Sequence, residues 1–67
     1  MDKLKVGDTI LVEQAWEDEL GQYHDEYAKI RAINKEGKMK LNFEDVSQEV
    51  REFLQGAEFD SKDYLKF

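Results

Sequence analysis

The sequence predicts a mainly β fold with one short helix, built as a small, strongly bent antiparallel sheet. Residues 27 to 43, "YAKIRAINKEGKMKLNF", read as two alternating runs on either side of a glycine-bearing turn. The run "TILVEQAW" repeats that alternation further upstream. Only after Phe43 does the apolar spacing change from two residues to three and four, the period of a helix.

Each element follows from local chemistry. "KVGDT" supplies a turn through Gly7 and Asp8, and the strand after it alternates Ile10 and Val12 with Leu11 and Glu13. "EDELGQ" reads as an exposed loop centred on Gly21. If Asn34 to Gly37 form a four-residue hairpin loop, Ala32 faces Met39, Ile30 faces Leu41 and Ala28 faces Phe43. That register puts all of these on one face, and a slip of one residue would mix the faces. The other face then carries Lys29 opposite Asn42 and Arg31 opposite Lys40. Two cations across a ladder call for acidic neighbours, and Glu13 is the candidate.

The helix is predicted over about 46–55. Val46, Val50, Phe53 and Leu54 form its apolar stripe, with Asp45 as N-cap, Gln48 three residues on, and Gly56 just past the end. The tail holds Phe59, Tyr64, Leu65 and Phe67. It reads as a last strand near Phe59 or as a brief helical turn capped by Asp60 or Ser61. Without proline, repeats or a linker-like stretch, residues 1–67 form a single domain.

Composition excludes several function classes. With no cysteine and one histidine, neither disulfides, thiolate zinc sites nor a histidine-rich metal centre can form, so the core must come from packing. No cofactor is expected. "MDKLKVGD" lacks the apolar core of a signal peptide, and no run approaches a membrane span, so a soluble cytoplasmic protein is expected.

The net charge of −6 is unevenly distributed. Six carboxylates and no lysine or arginine lie between Glu13 and Glu26, whereas five basic residues and only Glu36 lie between Lys29 and Lys40. From Glu44 to Asp63, seven carboxylates face Arg51 and Lys62. The chain is acidic with one basic hairpin, a balance that disfavours nucleic-acid binding because phosphate contacts need net positive charge.

No catalytic constellation is legible. His24 is the one imidazole, and strand alternation pairs it with Glu26 rather than with Asp25. Ser47 and Ser61 read as turn or helix-start residues, so no nucleophilic triad is available and no enzyme is expected. The acidic loop Glu17, Asp18 and Glu19 lacks the alternating spacing and internal glycine of a calcium-binding loop.

Taken together, "VGD" leading into a first strand, a loop, "YAKI" and "GKMKLNFED" resemble the SH3-like barrel superfamily, and within it Tudor-type domains, over about residues 4–46. The resemblance implies an SH3-like small antiparallel barrel. It also implies an aromatic cage for a methylated lysine or arginine, at positions matched by Trp16 or Tyr23, Tyr27 and Phe43. A further aromatic expected after the acidic residue is here Val46, which leaves the cage incomplete.

The expectation is therefore a non-enzymatic protein-binding or adaptor domain. Its contact residues would be Trp16, Tyr23 and Tyr27 beside the basic face of Arg31 and Lys40, residue types that often dominate interfaces. The alternative is an acidic nucleic-acid mimic, of the kind found in phages and mobile elements, acting through Glu17, Asp18 and Glu19 on a basic enzyme.

Overall fold

The computed structural model describes residues 3–66, so Phe67 lies outside the described residues. Four strands form one antiparallel sheet in the order β1 (Thr9–Glu17), β2 (Tyr23–Ile33), β3 (Lys38–Phe43) and β4 (Phe59–Asp60). A helix, α1 (Gln48–Gln55), follows β3, and a 3-10 turn at Ser61–Asp63 follows β4. Beyond that turn, Lys66 bridges back to Ile10 of β1, so the far end of the chain meets the opposite edge of the sheet. The sheet is thereby curled into a half-barrel.

Alternation selects the core. Ile10, Val12, Ala28, Ile30, Met39, Leu41 and Phe43 are buried on the concave side, and Leu54 of α1 closes it. Apolar side chains taken from water at every second strand position are what hold such a small body together.

Both hairpins are closed by the same turn. Asp18 N–H donates to Gln22 O (2.9 Å), Gly21 N–H donates to Asp18 O (3.1 Å), and Asp18 Oδ1 accepts from Leu20 and Gln22 N–H. Asn34 makes the same four bonds with Lys38, Gly37 and Glu36 in "NKEGK". A short acceptor side chain at the first position and a glycine at positive φ at the fourth are what this turn requires.

That turn corrects the hairpin register. A four-residue loop would pair Ile33 with Lys38, but the Asn34 turn closes on Lys38 itself and moves the nearest pair to Ile33 with Met39. A bulge at Arg31 takes up the extra residue, and Ile30–Leu41 and Ala28–Phe43 then pair as the alternation predicts. Hence Ala32, not Arg31, stands opposite Lys40, and Ala32 does not face Met39.

The helix starts later than its apolar spacing suggests. Ser47, not Asp45, is the N-cap, its Oγ accepting from Val50 N–H at 3.3 Å. The Arg51 guanidinium accounts for the delay: it donates to the carbonyls of Phe43 (3.0 Å) and Glu44 (3.1 Å), pinning the β3 exit just before the chain bends at 45–46. Val46 therefore packs on the core from outside the helix, in line with Val50 and Leu54. Phe53 falls off that line of fours and is 76% exposed, so it is not part of the core stripe.

The tail contains both of its expected forms in sequence. β4 pairs Met39 with Phe59, and the 3-10 turn after it is capped by the Asp60 side chain, which accepts from Lys62 N–H. No helix among the described residues is long and apolar enough to cross a membrane.

Candidate functional site

β1 and β2 extend past the core as an arm. Between Val12 and Trp16 the register shifts, with three residues of β1 set against Asp25 alone. Gln14 takes positive φ (52°) there, and its N–H donates to Asp25 Oδ1 at 2.9 Å. Four residues on β1 thus match two on β2, an even number on each side. Trp16, His24 and Glu26 consequently stay on the concave face that carries the core.

These side chains lock together. The Trp16 ring stacks on His24 with centroids 4.3 Å apart, and Trp16 Nε1–H donates to Glu26 Oε2 at 2.9 Å. His24 is not paired with Glu26 as alternation suggests; its Nε2 meets Asp18 Oδ2 at 2.8 Å. The reason is the turn, which folds Asp18 back over the strand end and leaves one carboxylate oxygen free to reach the imidazole. The His24 bond, followed by the backbone N–H of Gln22, holds the Asp18 carboxyl below the usual carboxylate range.

Across from the arm stands α1. Trp16, Glu17, Asp18 and Glu19 on one side, and Ser47, Glu49, Val50 and Phe53 on the other, line an open groove of about 470 Å³. Its lining combines apolar and aromatic side chains (Trp16, Val50, Phe53) with carboxylates (Glu17, Asp18, Glu19, Glu49). Among the described residues, Glu17, Glu19 and Glu49 have no hydrogen bond or ion pair through their carboxylates.

The other expected contact residues do not converge on this groove. Tyr23 (58% exposed) and Tyr27 (47% exposed) alternate onto the opposite face of β2, where Tyr27 borders a small cleft with Thr9, Lys29 and Asn42. Phe43 is buried at 1% exposure. Arg31 and Lys40 lie at the far end of α1: Lys40 Nζ donates to Gly56 O at 3.2 Å, and Arg31 Nη2 reaches Gln55 O at 3.5 Å. Lys40 also approaches Glu58 at 4.0 Å, and Lys38 pairs with Asp60 at 3.1 Å. Glu13 is not the neutralising neighbour; it sits past the Val12–Glu26 pair, several residues along β2 from Arg31. Arg31, Lys38 and Lys40 of the basic face are thus engaged with the helix end and the β4 region, and Lys29 is not.

Sequence reading missed the second wall of the groove. Ser47, Glu49, Val50 and Phe53 belong to it because α1 packs on the core through Val50 and Leu54, in line with Val46 ahead of it. A strict spacing of four would have placed Phe53 off the core line. Among the described residues no group of three or more histidine, aspartate or glutamate side chains is placed to hold a metal ion.

In comparisons with known proteins, no family model, no curated protein and no solved structure matches this chain.

Proposed function

We propose that this is a non-enzymatic, SH3-like protein-binding domain that receives a segment of another protein between the β1–β2 arm and α1. The observation that carries this reading is Phe53: a large apolar ring 76% exposed on a helix whose other side is packed, facing Trp16 across an open groove. Aromatic side chains that already stand ordered at a concave surface lose little entropy on binding and supply much contact area. Trp16 is ordered by His24 and Glu26 before any partner arrives.

The reading is tested by selecting peptides from a displayed library on the wild-type domain and on a Phe53→Ala variant. Sequences retained by the wild type and lost by the variant support it, and equal retention by both rejects it. The second reading, an acidic mimic of nucleic acid, draws on the unpaired carboxylates of Glu17, Glu19 and Glu49. It requires a basic enzyme whose binding is steeply salt-sensitive and indifferent to Phe53→Ala.

A further inference from the structure

The chemistry of the groove names its occupant. Apolar surface on both walls, Trp16 on the arm and Val50 and Phe53 on α1, asks for a large apolar side chain between them, and the volume of about 470 Å³ is ample for one with its neighbours. Carboxylates stand on both lips, Glu17 and Glu19 on the arm and Glu49 on the first turn of α1. None of the lining residues is lysine or arginine. Five of the protein's cations are engaged elsewhere: Lys38, Lys62 and Lys66 pair with Asp60 and Asp8, while Lys40 and Arg31 serve the carbonyls at the end of α1. Lys29 is on the opposite side of the sheet, beside Tyr27. The two lips therefore present uncompensated negative charge to whatever enters.

We infer that the groove takes a short basic segment of another protein, a large apolar side chain seated between Trp16 and Phe53 with flanking lysine or arginine side chains on Glu17, Glu19 and Glu49. The exposed face of Phe53 adds a cation-π surface for a flanking ammonium or guanidinium group. Phosphates and acidic peptides meet repulsion from both lips. The inference rests on the groove being the binding site, and its test separates the two claims.

Trp16 is the only tryptophan in the chain, so its emission reports directly on the groove. The probes are three short peptides with a central leucine flanked by lysines, by serines or by glutamates, and a single-stranded oligonucleotide. At low salt the lysine peptide is expected to bind about tenfold more tightly than the serine peptide, the scale that two or three exposed ion pairs supply. That preference should shrink at high salt and vanish in a Glu17→Gln, Glu19→Gln, Glu49→Gln variant, whose changes are all on exposed side chains. Serine and lysine peptides binding alike, both weakened by Phe53→Ala, would overturn the basic occupant and leave the groove standing. Tighter binding of the glutamate peptide or the oligonucleotide overturns the inference. If no peptide moves Trp16 emission and Phe53→Ala changes nothing, the groove itself is not the site.

Discussion

Trp16 lies flat on His24 across the β1–β2 ladder, the ring planes 13° from parallel, just beyond the register shift that follows Val12. The stack holds the indole by its face and Glu26 holds it by its N–H, yet the ring is only half-buried and is not among the side chains packed on the core. Trp16→Ala should therefore cost about 1–2 kcal/mol of stability, well under the roughly 3–5 kcal/mol expected of a fully buried ring. Urea unfolding followed by circular dichroism measures this. Peptide binding by the same variant, followed by NMR, should be lost. A variant that fails to fold would put Trp16 in the core and take it out of the binding surface.

Lys40 and Arg31 act on α1 from outside it. The helix has no basic residue in its own last turn, so the carbonyls at its negative end are met by cations that the β2–β3 hairpin supplies. Lys40→Ala should destabilise the domain by roughly 0.3–1 kcal/mol, with the deficit shrinking as salt is added. Urea midpoints at low and high salt give the answer. An unchanged midpoint at low salt would mean that Lys40 is not committed to the helix end and is available to a partner.

Gly37 is held by two constraints at once. Its φ is +84°, and a Cβ there would come within 2.9 Å of Ser61 Oγ, because Ser61 N–H donates to Gly37 O at 2.8 Å. Gly7 has a similar φ of +96° but open space around it. Alanine at either position carries the left-handed backbone cost of roughly 1–2 kcal/mol. Gly37→Ala must in addition displace Ser61 and loosen the 3-10 turn, so it should be clearly the less stable of the two by thermal melting. Equal melting temperatures would show that the β4 turn yields freely.

What could be read from the sequence was what periodicity records. Residues 10, 12, 28, 30, 39, 41 and 43 appear inside because two-residue alternation leaves no other arrangement, and the helix appears because its spacing changes. Register near the turns could not be read in the same way. Asn34 and Asp18 close their loops through side-chain acceptors, and the one-residue shift that the Asn34 turn imposes is absorbed by a bulge at Arg31 that leaves no apolar signature. The start of α1 was hidden for a similar reason, since Arg51 reaches back to carbonyls seven and eight residues earlier. Half of the groove was visible in Trp16 and its acidic neighbours. The half supplied by Phe53 and Glu49 depended on which side of a two-turn helix meets the sheet.

Asp18 offers a charge that can be removed without removing its turn, because Asn34 builds the identical turn with an amide oxygen. In the folded protein the bond to His24, and then the N–H of Gln22, hold the Asp18 carboxyl below its ordinary value; burial opposes them more than the Leu20 N–H supports them. A carboxyl depressed on folding gives stability that is present above its unfolded value, about 3.9, and is lost as pH falls through the folded value. Asp60 is depressed too, by the Lys62 N–H and then by Lys38, so the wild-type acid limb contains both groups. Asp18→Asn should fold, melt somewhat below the wild type at neutral pH, and converge on it as the pH falls through the depressed folded value of Asp18. Melting temperatures from acid to neutral pH measure the gap between the two proteins. A gap that stays constant across that range would show that the Asp18–His24 contact gains nothing from the charge of the carboxylate.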